Sequence, residues 1–329
     1  MKNSPIILFC SILLCQVIHS QTIENTGRPI AEIFTDFHYN ISDTSKTTGF
    51  GLNRAYLGYS FMPGKNFTAT IFVNIGNPEE LTPGAKHRRY AYFKEASIAW
   101  SKDKLNISFG ITKTRIEDYQ QKFLGKRYIA DTFQSLNGYG FVADLGVAVD
   151  YKFNDIVKAD FTLMNGEGYS ELQLDNHLKT SGGISITPDK QWAIRIYGDI
   201  IHLNGIWQST LIGFAGFKNE LTTIGIEADY KSDLDMIEGH NSWGISGTGG
   251  INIFKKSELF ARYDYLTSYT VPGHFIEWNQ LKDGSLAILG FQYTFSENVK
   301  LALDYQGIYP HDPDKHITDA IYVNALFKF

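Results

Sequence analysis

The sequence predicts an all-β chain: a transmembrane antiparallel β-barrel of about sixteen strands, with short turns at one end and longer loops at the other. Three observations predict it. Short segments of alternating residue character recur along the chain, with almost no sustained 3.6-residue period. Very short polar turns alternate strictly with longer, more variable connections. An aromatic residue marks the short-turn end of almost every strand pair.

The first residues belong to no strand. "MKNSPIILFCSILLCQVIHSQ" carries one Lys, an apolar run from Ile6 to Val17, and the small Ser20 before Gln21. This is a secretory signal pattern, too short and wrongly flanked for a membrane span, so residues 1–20 are expected to be removed, leaving 21–329 as one domain. A lipoprotein signal would want a small residue before Cys15, where Leu14 stands. Both cysteines, Cys10 and Cys15, fall in the removed segment, which leaves the exported chain without thiol chemistry or Cys-ligated metal.

The strands follow in order. "EIFTDFHYN" sets Ile33, Thr35, Phe37 and Tyr39 against Glu32, Phe34, Asp36 and His38. "NRAYLGYSF" sets Ala55, Leu57, Tyr59 and Phe61 against Arg54, Tyr56, Gly58 and Ser60. "KLNISFGIT", "ADLGVAVDYK" and "NVKLALDYQ" repeat the alternation, and the chain ends on it in "DAIYVNALFKF", with Leu326 the apolar exception on the polar parity. A soluble β-sandwich would alternate too. The connections discriminate.

Seven short turns lie at 61–67, 100–105, 151–157, 186–192, 217–221, 254–259 and 295–299. Between them run longer connections at 41–49, 77–89, 114–141, 165–178, 231–241, 266–283 and 308–318, with a short one near 202–205. Tight periplasmic turns and long outer loops are the asymmetry of outer-membrane barrels. Phe61, Trp100, Tyr151, Trp192, Phe217, Phe254, Phe295 and Phe329 would then ring the short-turn end, where an amphipathic ring suits the headgroup depth. Seven turns join fourteen strands; one before and one after make sixteen. Pairing the last strand with the first leaves no edge facing lipid.

Composition sets limits. The formal charge of −5 becomes −6 once Lys2 is removed, which gives no support for a nucleic-acid partner. The segment "HDPDKH" (311–316) has no spacing of a metal site, and "NGEG" and "GTGG" lack the Lys-Ser/Thr of a phosphate cradle, so neither metal nor cofactor is expected.

"GFGLNRAYLGYSFMPGKNFTATIFVNIG" (49–76) resembles a hairpin of the phosphate-selective porin O and P family, in which a basic residue, here Arg54, precedes "AYLG". "ISFGITKT", "GYGFVADLGVAV", "FTLMNGEG" and "ELFARYDYL" are similar to later landmarks in the same order. The resemblance implies a passive sixteen-stranded porin of the Gram-negative outer membrane, often a homotrimer, with phosphate or other anions as solutes. The chain is shorter than is usual there, implying trimmed outer loops. Its lumen parity carries mixed charge that leans acidic, so the sign of selectivity stays open.

The longest connection, 113–141, is the best candidate site. Lys113, Arg115, Lys122, Lys126 and Arg127 are expected on the electropositive side of a pore constriction, with Glu117 and Asp118 beside them and a helical turn over 119–123. Arg54, Arg195 and Arg262 lie mid-strand on the polar parity. An Arg facing lipid near midplane costs about 2–4 kcal/mol, so they are expected to face the lumen, stiffening the wall through neighbouring acids or touching solute. "AKHRRY" (85–90) could meet lipopolysaccharide phosphates. No G-x-S-x-G element frames a catalytic group, and no catalytic residue is assigned. Two alternatives differ in class. An outer-membrane enzyme barrel would need a catalytic pair at the outer rim around His240 or His274, and a secreted glycan-binding β-protein would pack its apolar parity inward.

Overall fold

The computed structural model describes residues 26–42, 48–75, 90–173 and 175–329. The expected signal segment and most of "AKHRRY" lie outside the described residues. Sixteen antiparallel strands close a barrel in which each strand pairs with the next and the last returns to the first. They are β1 (Thr26–Asn40), β2 (Gly49–Met62), β3 (Phe67–Ile75), β4 (Ala91–Lys102), β5 (Leu105–Lys113), β6 (Ala143–Lys152), β7 (Val157–Met164) and β8 (Lys179–Ile186). Then come β9 (Trp192–Leu203), β10 (Ile206–Lys218), β11 (Thr222–Ser232), β12 (Ser242–Phe254), β13 (Ser257–Ser268), β14 (Gly284–Ser296), β15 (Val299–Pro310) and β16 (Thr318–Lys328). All seven short turns and the tight β9–β10 connection fall where the alternation places them.

Closure uses the terminal strand. β16 runs against β1 from Glu32↔Lys328 to Asn40↔Ala320, and the Phe329 N–H donates to Ala31 O at 3.0 Å. A closed ladder satisfies every backbone group internally, which a hydrocarbon surround demands. Two irregularities re-aim side chains. A bulge in β2 at Asn53 swaps parity, so that Phe50 and Leu57 both point outward, and a bulge in β4 at Lys94 does the same for Phe93 and Ile98.

The outer surface is apolar at mid-height, carrying Ile71, Ile98, Phe109, Phe161, Ile196, Leu211, Ile226, Ile245, Leu289 and Leu303. A soluble monomer does not leave so large an apolar surface in water; hydrocarbon removes the penalty. At the short-turn end Trp192 meets Phe217 with centroids 5.0 Å apart, Tyr151 meets Phe153 at 4.9 Å and Tyr293 meets Phe295 at 4.8 Å. The opposite parity is polar and faces inward: Arg54, Asp144, Arg195, Asp199, Glu227, Asp264 and Asp304 are all withdrawn from the outer surface. The barrel is inside-out, as its strand pattern requires. Among the described residues no helix is long and apolar enough to cross a membrane.

Candidate functional site

The connection between β5 and β6 folds into the lumen and packs there. It holds two short helices, α1 (Asp118–Leu124) and α2 (Phe133–Leu136). Gly125 ends α1 in the left-handed conformation (φ 66°), which glycine adopts without a Cβ clash. Thr132 caps α2, its hydroxyl accepting the Ser135 N–H at 3.3 Å. The loop's apolar residues find apolar wall residues. Ile116, Phe133 and Tyr139 pack with Tyr197, Ile212 and Leu266, while Tyr128 and Ile129 pack with Phe34, Phe260, Ile288, Ala302 and Leu326. This accounts for Leu326, the apolar exception in the last strand.

Strand β10 shows the same effect most clearly. Its inward row of Thr210, Ile212, Phe214 and Gly216 is buried, although both faces of that strand carry apolar residues. Inward glycines make room for the loop. A Cβ on Gly216 would overlap the Phe123 ring, and one on Gly244 would overlap Phe133.

Polar anchors tie the loop around the wall. Gln134 Nε2 donates to Glu227 Oε2 at 2.9 Å and Asp229 Oδ2 at 2.8 Å. Lys231 Nζ donates to the carbonyls of Gly138 (3.2 Å) and Tyr139 (2.9 Å). Tyr128 Oη donates to Gln292 Oε1 at 2.7 Å, and Gln306 Nε2 to Ile129 O at 3.2 Å. Burial and the nearby Glu258 and Asp304 carboxylates push the Tyr128 hydroxyl well above its usual range, so it remains a donor. Within the loop, the Thr132 and Ser135 hydroxyls both donate to Glu117.

The three lumen arginines join this framework. Arg54 Nη2 forks onto Asp131 at 3.1 and 2.9 Å. Arg262 holds Asp264 through two bonds, at 2.9 and 2.6 Å, and donates to Asp131 O at 2.6 Å. Arg195 holds Asp160 at 2.7 and 3.0 Å and reaches Arg115 O at 3.0 Å. Burial alone would raise the Asp131 pKa, but Arg54 and Arg127 outweigh it and hold the group below its ordinary value.

The five loop cations divide into two sets. Lys113 and Lys122 share Asp118, each at 2.7 Å. Burial opposes that carboxylate, yet the two ammonium groups lower its pKa to about 2. Arg115 forks onto Asp150 at 2.9 and 2.8 Å from a left-handed backbone (φ 70°), a conformation that costs a non-glycine residue on the order of 1 kcal/mol. These three line a cavity of about 910 Å³ bounded by the loop and strands β3 to β9. Lys126 and Arg127 line instead a void of about 40 Å³ between the loop and β11–β13. Lys126 pairs with Glu258 at 2.5 Å; burial lowers its pKa, and Glu258 offsets part of that. Arg127 sits between Glu117 at 3.4 Å and Asp131 at 3.6 Å and donates to Gln121 at 2.8 Å.

The large cavity opens beneath the loop toward the short-turn end. Its cations are Lys104, Lys113, Arg115, Lys122, Lys152, Lys158, Lys190 and Arg195; its carboxylates are Glu95, Asp103, Asp118, Asp150 and Asp160. Serine and threonine fill much of the remaining lining: Thr70, Ser97, Ser101, Ser108, Thr112 and Ser185. These groups hydrate readily, and Leu105, Tyr119, Phe123, Tyr151 and Trp192 complete the lining. At the long-loop end His240 stacks on Trp278, with centroids 4.4 Å apart and 5° between planes. His38 Nδ1 lies 2.6 Å from Asp36 Oδ1. Among the described residues no group of three or more His, Cys, Asp or Glu side chains is arranged to hold a metal ion.

These features define a closed sixteen-strand barrel of the outer-membrane type, with an inward-folded loop after β5. No family model matches the chain, and no curated protein matches its sequence. Solved structures do. A loop-deletion mutant of OmpT, an outer membrane protein of Vibrio cholerae, superposes with a TM-score of 0.65 at 14% identity, over 93% of this chain and 99% of that one. OmpF of Salmonella typhi, in complex with daunomycin, gives 0.68 at 9% identity, over 94% and 99%. A mutant of the Rh. blastica porin gives 0.61 at 13% identity, over 92% and 100%. At these identities the likeness is one of fold.

Proposed function

We propose that the protein is an outer-membrane porin of a Gram-negative bacterium, through which small hydrophilic solutes or ions diffuse passively. The observation that carries this reading is the polarity of the barrel: apolar outside, charged within, with a cavity of about 910 Å³ rich in charged side chains beside an inward loop. Transport of this kind needs no bond making, so no catalytic group or cofactor enters. The loop narrows the lumen, and the side chains left on the open side meet the solute. Lys113, Arg115 and Lys122 stand at that constriction, while Lys126 ties the loop to Glu258 on the opposite wall and Arg127 braces the loop from within. Arg195 and Arg262 stiffen the wall through their acid partners, and Arg54 ties the wall to the loop through Asp131.

The resemblance to the phosphate-selective porin O and P family supports anions such as phosphate among the solutes, and a homotrimer embedded in outer-membrane lipid. Residues 1–20 would direct export. Planar-bilayer recording of the purified protein tests the reading. Large, weakly voltage-dependent steps are expected, and a folded barrel that inserts without conducting would refute it.

A further inference from the structure

The loop does more than narrow the lumen. Its two apolar clusters sit against β1, β9, β10 and β13 to β16, and its polar anchors reach β11, β13, β14 and β15. That side of the barrel is packed with side chains. The large cavity lies on the other side, along β3 to β9. A solute's path therefore depends on the side chains of that side alone.

Most charges there already have partners. Arg115 holds Asp150, Arg195 holds Asp160, and Lys113 and Lys122 share Asp118. A guanidinium forked onto a carboxylate presents little net field to a passing ion. Asp103, Lys104 and Lys190, which form no ion pair among the described residues, lie on the turns at the cavity's end; among its strand residues two charges differ. Glu95 on β4 accepts only a hydroxyl, Ser97 Oγ at 3.1 Å; Lys113 and Arg115 act on its charge, but no cation forms an ion pair with it among the described residues. Lys158 on β7 is exposed within the cavity and has neither an ion pair nor a hydrogen bond among the described residues. It lies directly across the ladder from Lys152, which takes Asp155 at 2.6 Å. Like charges opposed on neighbouring strands are destabilising.

We propose that Glu95 and Lys158 are the specificity-determining charges of the passage, and that the loop cations set its width. This deepens the porin reading and rests on it. The two wall groups act with opposite sign on small ions of either charge. Neither belongs to the loop's apolar clusters or to its polar anchors, so their replacement leaves loop docking in place.

The test is the reversal potential of single channels in a potassium chloride gradient, for wild type, Glu95→Gln, Lys158→Gln and Lys126→Gln. Removing one unpaired charge within several ångströms of the path changes the relative permeability of chloride and potassium by roughly twofold. Glu95→Gln is expected to raise the chloride share and Lys158→Gln to lower it, each with unit conductance retained. Opposite signs are the signature, because a merely structural lesion would not reverse with the charge removed. The inference is overturned if both variants conduct with the wild-type ratio, or if Lys126→Gln moves the ratio more than either. A wild type that does not conduct at all would instead strike the porin reading beneath it.

Discussion

Replacing Phe133 by alanine should release the loop while leaving the barrel closed. Phe133 is fully buried (0% exposed), in the cluster with Ile116, Tyr139, Tyr197, Ile212 and Leu266, and its ring occupies the space that Gly244 leaves open. Truncating a buried Phe costs about 3–5 kcal/mol in lost transfer energy and cavity formation. The ladders of β1 to β16 do not involve this side chain, so the cost falls on loop docking. At about 1.4 kcal/mol per decade, the open population rises by roughly two to three and a half orders of magnitude. Trypsin reports it directly, since Lys126 and Arg127 are sheltered when the loop is docked. In the regime where opening is faster than cleavage, the rate of cutting after these residues follows the open fraction. The heat-modifiable gel mobility of the barrel should not change. Cleavage at the wild-type rate would mean that the apolar contacts do not hold the loop, and the account of how one side of the lumen is filled would fail.

Other expectations follow from single contacts. Gly216→Val places a side chain where the Phe123 ring of the loop lies, and should release the loop in the same trypsin assay through overpacking of about 1–3 kcal/mol. Asp118 has a pKa lowered from 3.8 to about 2, so its pairing steadies the loop above about pH 4 and that contribution fades as pH falls through 2. The shift alone would be worth about 2.5 kcal/mol, but Lys113 and Lys122 are 42% and 67% exposed, and screening reduces it to about 1 kcal/mol. Pepsin cleavage near Phe123 should therefore rise about fivefold relative to Asp118→Asn between pH 4 and pH 1.5; parallel profiles would exclude the role. On the outer wall, Leu211→Arg puts a charge near the middle of the lipid-facing belt and should lower the folded fraction in lipid by about 2–4 kcal/mol, read by urea titration of the heat-modifiable band.

Much of the architecture was legible in the amino acids because the interactions that create it are local. A strand's two faces alternate by backbone geometry, and each hairpin partner is the next segment along the chain, so alternation and turn length suffice to locate β1 to β16. The aromatic ring at the short-turn end follows for the same reason. Arg54, Arg195 and Arg262 could be assigned inward from the cost of exposing them to lipid, without knowledge of their partners. What they bind was not legible. Asp131, which meets both Arg54 and Arg262, stands 77 residues from one and 131 from the other. Likewise, Lys126 and Arg127 read as constriction charges beside Lys122, yet one loop presents them to a different side of the lumen. A signal was present in β10, whose inward parity carries Ile212 and Phe214 where water alone would select polar residues. Period-two reading of one strand cannot say what covers such residues, because the cover arrives from a segment between two other strands. The chain's own pattern determined a cylinder with a lipid face and a polar bore. Only the three-dimensional packing of the β5–β6 loop against distant strands decided which side of that bore is solid and which charges remain uncompensated, since burial and pairing depend on neighbours that sequence order does not supply.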